Sequence, residues 1–220
     1  MIERDETKAG FTKHMVRLRH DGTRDNVNAV GDVFPEVVLI NSHDGSSSYH
    51  LNAGLLRVVC LNGLVACGEQ YAAVRISHSG KIVEKVIEGS YEVLEESIKA
   101  LTASTEWRGI ALNRDEQMIL AEGAHTLRFA DADGHVSTPI LPEQMLRVRR
   151  SEDRDDSLWT TFNRVQENVI RGGLHGVART DDGRRRKVST REIKGIDQNL
   201  KLNQALWQLT ERMAALKAAA

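Results

Sequence analysis

Apolar and polar positions alternate with a period of two over residues 11–20, β-branched residues are frequent over 36–40, and the apolar period becomes helical beyond residue 80. Strict alternation predicts strands that are buried on one face. Asp44-Gly45 tolerates the positive φ of a tight reversal, so we expect a turn between the second and third strands. The predicted strands are residues 11–20, 36–40, 47–51, 64–66 and 72–77. We therefore expect a small antiparallel sheet within residues 11–80.

The pattern over residues 51–62 fits either a strand or a short helix. Leu51, Leu55 and Val58 form a helical stripe, and Asn62-Gly63 is typical of a helix C-terminus. These features favour a helix at this position.

Beyond residue 80 the apolar positions recur at helical spacing. The predicted helices are residues 81–101, 114–129, 157–171 and 197–217, with a short proline-initiated helix at 142. Residues 176–194 are polar and basic, and we expect an exposed loop or hairpin there. The whole pattern predicts an α+β fold of one domain over 1–220, in which the sheet packs against a mostly helical C-terminal half.

The composition is that of an ordinary globular protein. Hydrophobic residues make up 40% of the chain and charged residues 28%. No apolar run resembles a signal peptide or a membrane span, so we expect a cytoplasmic protein without a membrane partner. Cys60 and Cys67 lie in apolar surroundings, which favours reduced thiols over a disulfide or a metal pair.

Charge is distributed unevenly along the chain. Residues 1–135 hold 14 Lys and Arg against 20 Asp and Glu, whereas residues 136–220 hold 16 against 11. Such an asymmetry is typical either of an anionic partner for the C-terminal half or of two halves that pack together. The charge count alone does not separate these alternatives.

The densest basic cluster lies within the predicted loop. Guanidinium groups in an exposed loop can bind phosphates with little sequence preference, although many basic loops are simply solvated. Arg179, Arg191 and Lys194 lie near the cluster, and a second group is Arg147, Arg149 and Arg150. The residues predicted to bind DNA or RNA are Arg184, Arg185, Arg186 and Lys187, with Arg164 and Arg171 contributing.

Two predicted helices carry unusually amide-rich polar faces. Asn163 and Gln166 lie on one helix, and Asn199 and Asn203 lie on the last helix. Amides donate and accept hydrogen bonds at once, so these faces could read nucleic-acid edges, bind a ligand or form a buried network between helices. All three alternatives remain open from the sequence.

A polar segment around residue 45 offers candidate chemistry. His43, Asp44 and His50 could hold a metal ion, with His78 as a fourth ligand, and Ser46 lies beside them. Turn formation accounts for the same residues, and no nucleophile elbow surrounds the serine. We therefore expect no metal, no cofactor and no catalytic residue here, with a metal-dependent hydrolase as the less favoured alternative.

The chain resembles a known family in several stretches that follow one another in the expected order. The matching stretches are Ser42-His-Asp-Gly-Ser46, Arg57-Val-Val-Cys60, Asn62-Gly-Leu64, Leu158-Trp159, Phe162-Asn-Arg-Val-Gln-Glu-Asn-Val-Ile-Arg-Gly-Gly173, Gly195-Ile-Asp-Gln-Asn199 and residues 203–207. They are similar to domain-of-unknown-function family 932, a phage- and plasmid-like family. The resemblance implies a cytoplasmic bacterial protein from a mobile element and implies no reaction. Members usually carry a further N-terminal segment, so we expect any function of that segment to be absent here.

These observations together favour a non-catalytic nucleic-acid-binding accessory protein of a mobile element. One alternative is a protein that inhibits a host defence complex by binding it. Apolar residues on the last helix would also support a homodimer.

Overall fold

The computed structural model describes residues 13–18, 32–42, 48–57, 64–65, 74–76, 81–180 and 182–219. Within the chain, two compact units form, Met1–Ala103 and Ser104–Ala220. The expectation of a single domain stays a prediction. Several sequence features lie outside the described residues: Asp44-Gly45, Asn62-Gly63, Cys60, Cys67 and His78. No helix in the described ranges combines the length and apolarity needed to cross a membrane.

The first unit contains an antiparallel sheet of five described strands. Strand β2 pairs with β1 on one side and with β3 on the other, and two short strands pair with the remaining edge of β3. The strands are β1 Lys13–Leu18, β2 Val33–Ser42, β3 Tyr49–Arg57, β4 Leu64–Val65 and β5 Val74–Ile76. The predicted sheet is confirmed, and with the helices below it makes the fold α+β.

The helix predicted over residues 51–62 is wrong as far as Arg57, because strand β3 continues through that residue. Both edges of β3 are paired, and both of its faces are mostly buried. A strand buried on two faces reads as a continuous apolar run, in which the period of two is hidden. A Cβ on Gly54 would lie 2.7 Å from Val38 Cγ2, so close packing against β2 requires glycine there.

Helix α1, Ile82–Arg108, covers one face of this sheet. Val93 packs with Leu51 and Ala53 in the core of the unit. The Ser97 hydroxyl lies 2.9 Å from the carbonyl oxygen of Glu36 and donates a hydrogen bond to it. The predicted helix over 81–101 is confirmed and is seven residues longer at its C-terminal end.

The second unit contains the last turn of α1, three further helices and a two-stranded hairpin. Asn113 and Glu116 form a capping box at the start of α2, and the Ser157 side chain caps α3. The elements are α2 Arg114–Phe129, 3₁₀ helices Pro142–Leu146 and Ser151–Asp153, α3 Leu158–Arg171, β6 His175–Arg179, β7 Arg185–Ser189 and α4 Ile196–Ala218. The predicted helices of this half are confirmed, and residues 176–194 contain the hairpin.

Helix α3 lies at the centre of the second unit, and all of its residues except Arg171 are buried. Its Trp159 and Phe162 join a cluster with Trp107 and Trp207, in which the Trp107 and Trp207 ring centroids lie 4.4 Å apart. Trp159 and Trp207 are 1% and 0% exposed, so these rings form core and are not available for base stacking.

We predict that Trp207→Ala destabilises the protein by about 3–5 kcal/mol, because a large buried side chain is removed and a cavity remains. Urea unfolding followed by circular dichroism measures this change. Gln208→Ala is the matched control, because Gln208 is the exposed neighbour on the same helix. Equal midpoints for the two variants would contradict the central role of the aromatic cluster.

Candidate nucleic-acid interface

The hairpin formed by β6 and β7 presents two different faces. In its register His175 pairs with Ser189, Val177 with Lys187, and Arg179 with Arg185. Paired residues of an antiparallel hairpin project from the same face, and successive residues alternate between faces. One face is therefore formed by exposed residues, and we call it the basic face: His175, Val177, Arg179, Arg185, Lys187 and Ser189.

The opposite face is half-buried over most of its length. Gly176, Ala178 and Val188 lie there, and a Cβ on Gly176 would come within 2.4 Å of the Pro139 carbonyl oxygen. Only glycine permits this approach. The basic face is thus directed away from the protein, and the opposite face of the hairpin packs against the segment that contains Pro139.

Hydrogen bonds fix the base of the hairpin. Gln144 Nε2 donates to the His175 carbonyl oxygen over 2.8 Å. The Gly173 amide donates to Thr190 O over 2.9 Å, and an Arg128 guanidinium nitrogen donates to Arg191 O over 3.0 Å. The base is therefore held by side chains and backbone from α2, the Pro142–Leu146 helix and the end of α3.

Gly172 directs the chain from α3 into the hairpin. Its φ is +65°, in the left-handed region that favours glycine. A Cβ at this position would also lie 2.7 Å from the Arg191 carbonyl oxygen. The sequence predicted a helix over 157–171, and the structure confirms that α3 ends at Arg171.

The turn of the hairpin carries the acidic group Asp182. Thr180 donates a hydrogen bond to Asp182, which holds the pKa of that carboxyl below its ordinary value. Arg184 Nε lies 3.3 Å from Asp182 Oδ2. Gly183 adopts a φ of +77° between them. Arg184 is thus already paired with an anion.

Three cations of the basic face form no such ion pair with any residue that the structure describes. Arg179 stands directly opposite Arg185, and Lys187 follows two residues later on the same face. Within the described part of the chain, no carboxylate forms an ion pair with any of the three. Like charges opposite each other on neighbouring strands destabilise a hairpin. An anionic ligand would relieve this repulsion.

The four consecutive cations that the sequence predicted as one cluster lie at different positions of the hairpin. Arg185 and Lys187 lie on the basic face, Arg186 projects from the opposite face, and Arg184 belongs to the turn. Arg179 completes the basic face although it lies outside the run of four cations. The hairpin register was the missing information, because sequence adjacency does not reveal which residues share a face.

Arg164 and Arg171 occupy different surroundings from the hairpin. Arg164 is 6% exposed, and one of its nitrogens donates to Thr161 Oγ1 over 2.9 Å, while burial lowers its pKa. This enclosed position does not favour direct phosphate contact, and phosphate binding by Arg164 stays a prediction. Arg171 Nε lies 3.6 Å from Glu167 Oε1, which Arg150 also binds over 2.8 Å. Phosphate binding by Arg171 stays a prediction.

The amide faces form a buried network. Gln166 Nε2 donates to Asn203 Oδ1 over 2.9 Å, and Asn203 Nδ2 donates to Asn199 Oδ1 over 2.8 Å. Asn163 Nδ2 donates to Trp159 O over 2.7 Å. Among the three alternatives that the sequence left open, these contacts favour the network between α3 and α4.

The predicted polar site near residue 45 is described only at one position. His43, Asp44 and Ser46 lie outside the described residues, whereas His50 lies in β3 opposite Ile40 and Arg75. The metal alternative there stays a prediction.

A separate exposed group, Asp131, Asp133 and His135, brings three potential ligand atoms within 4.8 Å of one another. The Asp131 carboxylate already accepts hydrogen bonds from the backbone amides of Asp133 and His135. These hydrogen bonds are typical of an aspartate-stabilised turn.

Comparison with known proteins places the chain in a family. The profile of "Domain of unknown function (DUF932)" matches residues 3–207, which is most of the chain. The chain belongs to the DUF932 family. The resemblance seen in the sequence is thereby confirmed.

Two relatives of this DUF932 chain occur in Escherichia coli strain K12. UPF0380 protein YfjQ is 42% identical over 210 residues, and UPF0380 protein YafZ is 43% identical over 210 residues. Each alignment covers 96% of this chain and 72% of the relative. No solved structure matches the chain.

For this DUF932 chain we predict that Gln166→Leu destabilises the protein by about 1–3 kcal/mol, because the buried Asn203 oxygen loses its donor. The double variant Gln166→Leu, Asn203→Leu should lose less than the sum of the single changes, since both buried partners are then apolar. Urea unfolding of the four proteins gives the coupling energy. Full additivity would contradict a network that holds α3 to α4.

Proposed function

We propose that this protein is a non-catalytic nucleic-acid-binding accessory protein of a phage- or plasmid-type mobile element, acting in the cytoplasm. The observation that carries the proposal is the basic face, on which Arg179, Arg185 and Lys187 are exposed without an acidic partner among the described residues. The mobile-element origin rests on the family resemblance of the sequence.

Electrostatics support a phosphate ligand at this face. Five of the 16 Lys and Arg residues in 136–220 lie in the hairpin, and among the described residues Arg184 alone of these five forms an ion pair. Phosphate oxygens of a nucleic acid would accept charge-assisted hydrogen bonds from the guanidinium groups. Such binding releases counterions from the nucleic acid, so its affinity depends steeply on salt.

The anchored base makes the basic face a preorganised surface. Hydrogen bonds from Gln144 and Arg128 hold the two chain segments that enter and leave the hairpin. A ligand therefore meets cations whose backbone is already ordered, and binding needs to order only the side chains. This function needs positioned charge and no catalytic group.

We predict that the triple change Arg179→Gln, Arg185→Gln, Lys187→Gln weakens nucleic-acid binding by at least about tenfold at low salt. Each lost phosphate contact should also reduce the slope of log affinity against log salt by about 0.9 for duplex DNA. Fluorescence anisotropy with a labelled duplex across a salt series measures both quantities.

The matched control is Arg114→Gln, Arg154→Gln, Arg212→Gln, which removes the same charge from exposed positions. Arg114 begins α2 and Arg154 precedes α3, whereas the hairpin follows the C-terminal end of α3. Helix α3 has 14 residues and is about 21 Å long. Equal loss of affinity in the two triple variants would show that the loss depends only on net charge. That result would contradict a binding site on the hairpin.

We predict the opposite effect for Asp182→Asn. The change removes the negative charge beside Arg184 and keeps an oxygen that accepts from Thr180. Affinity for nucleic acid should increase several-fold at low salt, and the salt slope should steepen by about one contact. The same anisotropy series measures it. Unchanged or weaker binding would show that the hairpin turn lies away from the ligand.

A further inference from the structure

We infer that the basic face lies in the major groove of B-form DNA, so that duplex DNA is bound in preference to single strands and duplex RNA. This inference rests on the proposed function and names the form of nucleic acid that the hairpin fits. Four features of the described hairpin carry it: its dimensions, the chemistry of its exposed face, its supported back and the absence of an aromatic platform.

The dimensions of the hairpin match the groove. Its strands lie about 4.8 Å apart, and each has five residues, which span about 17 Å. The major groove is about 12 Å wide and admits a two-stranded ribbon. A length of about 17 Å corresponds to about five base pairs at a rise of about 3.4 Å. One face of the hairpin could therefore follow the floor of the groove.

The basic face carries more than phosphate-binding groups. Val177 lies between His175 and Arg179 along β6 on this face, and 55% of it is exposed. A face that bound only the phosphate backbone would gain nothing from an apolar side chain at its centre. In the major groove an apolar side chain contacts the thymine methyl group, and arginine or lysine donates to guanine O6 and N7.

The back of the hairpin agrees with this orientation. Gly176 packs against Pro139, and Ala178 and Val188 are half-buried. The opposite face is thus held by the protein, and the basic face is the one free to approach base pairs. Arg184, in the turn of the hairpin, is then placed beside the groove, where phosphates line its edge.

Single strands are the less suitable ligand because the described hairpin carries no phenylalanine, tyrosine or tryptophan on which bases could stack. Sequence-tolerant proteins that bind single strands stack bases on aromatic rings. In the second unit the rings of Trp107, Trp159, Phe162 and Trp207 are buried, and Phe129 is half-buried. Among the described residues of 104–219, no phenylalanine, tyrosine or tryptophan is exposed. Duplex RNA is disfavoured for another reason, since its major groove is too deep and narrow for side chains to read.

The test compares three ligands of one sequence at matched salt: a 20-base-pair DNA duplex, one of its strands and the corresponding RNA duplex. We expect the DNA duplex to bind at least about tenfold more tightly than either competitor. Dimethyl sulfate footprinting should show protection of guanine N7, which lies in the major groove, and none of adenine N3, which lies in the minor groove.

A second variant tests the position of Val177. Replacing every thymine of the duplex by uracil removes the C5-methyl groups and should weaken binding of the unaltered protein by about three- to fourfold, the effect of one buried methyl contact. Val177→Ala should remove this discrimination. Ser189→Ala is the control variant, because Ser189 lies on the same face and should retain it. Circular dichroism and urea midpoints verify that both variants fold.

The outcomes separate this inference from the proposed function. Tighter binding of the single strand, protection of adenine N3 alone, or indifference of the unaltered protein to uracil would each overturn major-groove binding. Nucleic-acid binding through the hairpin would survive those results if the triple Gln variant still lost affinity. No binding of any of the three ligands at low salt would overturn the proposed function itself. The basic face would then be expected to bind a protein partner.

Discussion

The second unit depends on the burial of α3, a helix enclosed on nearly every side although more than half of its side chains are polar. Burying an amide or a charge is costly unless it is hydrogen-bonded, so each neighbour of α3 must supply a partner. Asn203, on α4, accepts a hydrogen bond from Gln166. Arg150 forms an ion pair with Glu167. Asn168 donates to Met145 O over 2.9 Å. These demands fix which segments surround the helix.

The same arrangement positions the hairpin. The Asn168 side chain also accepts from Arg149 Nε over 2.6 Å, and Arg149 donates to the Gly172 carbonyl oxygen. The end of α3 is therefore held where Gly172 reverses the chain into β6. The buried helix is thus followed by a hairpin that is supported on one face, and the basic face of this hairpin exposes three cations. Stability and the proposed binding function are connected through the C-terminus of one helix.

The first unit illustrates how burial can conceal a secondary structure. Strand β3 is paired along both edges and is apolar toward α1, so its sequence lacks the alternation by which β1 was recognised. Leu51 and Leu55 are four residues apart, which fits a helical stripe. They also lie on one face of a strand, since their separation is even. Tertiary pairing decided between the two periods.

The amino-acid sequence by itself determined the α+β class, the family and the bounds of α2, because alternation, helical period and capping residues act locally. It also located the basic segment. Only the tertiary structure decided that Arg179 joins Arg185 and Lys187, that Arg164 is enclosed, and that the amides face inward. The physical reason is the same in each case. Which face a residue shares, and whether water reaches it, depends on partners distant in the chain.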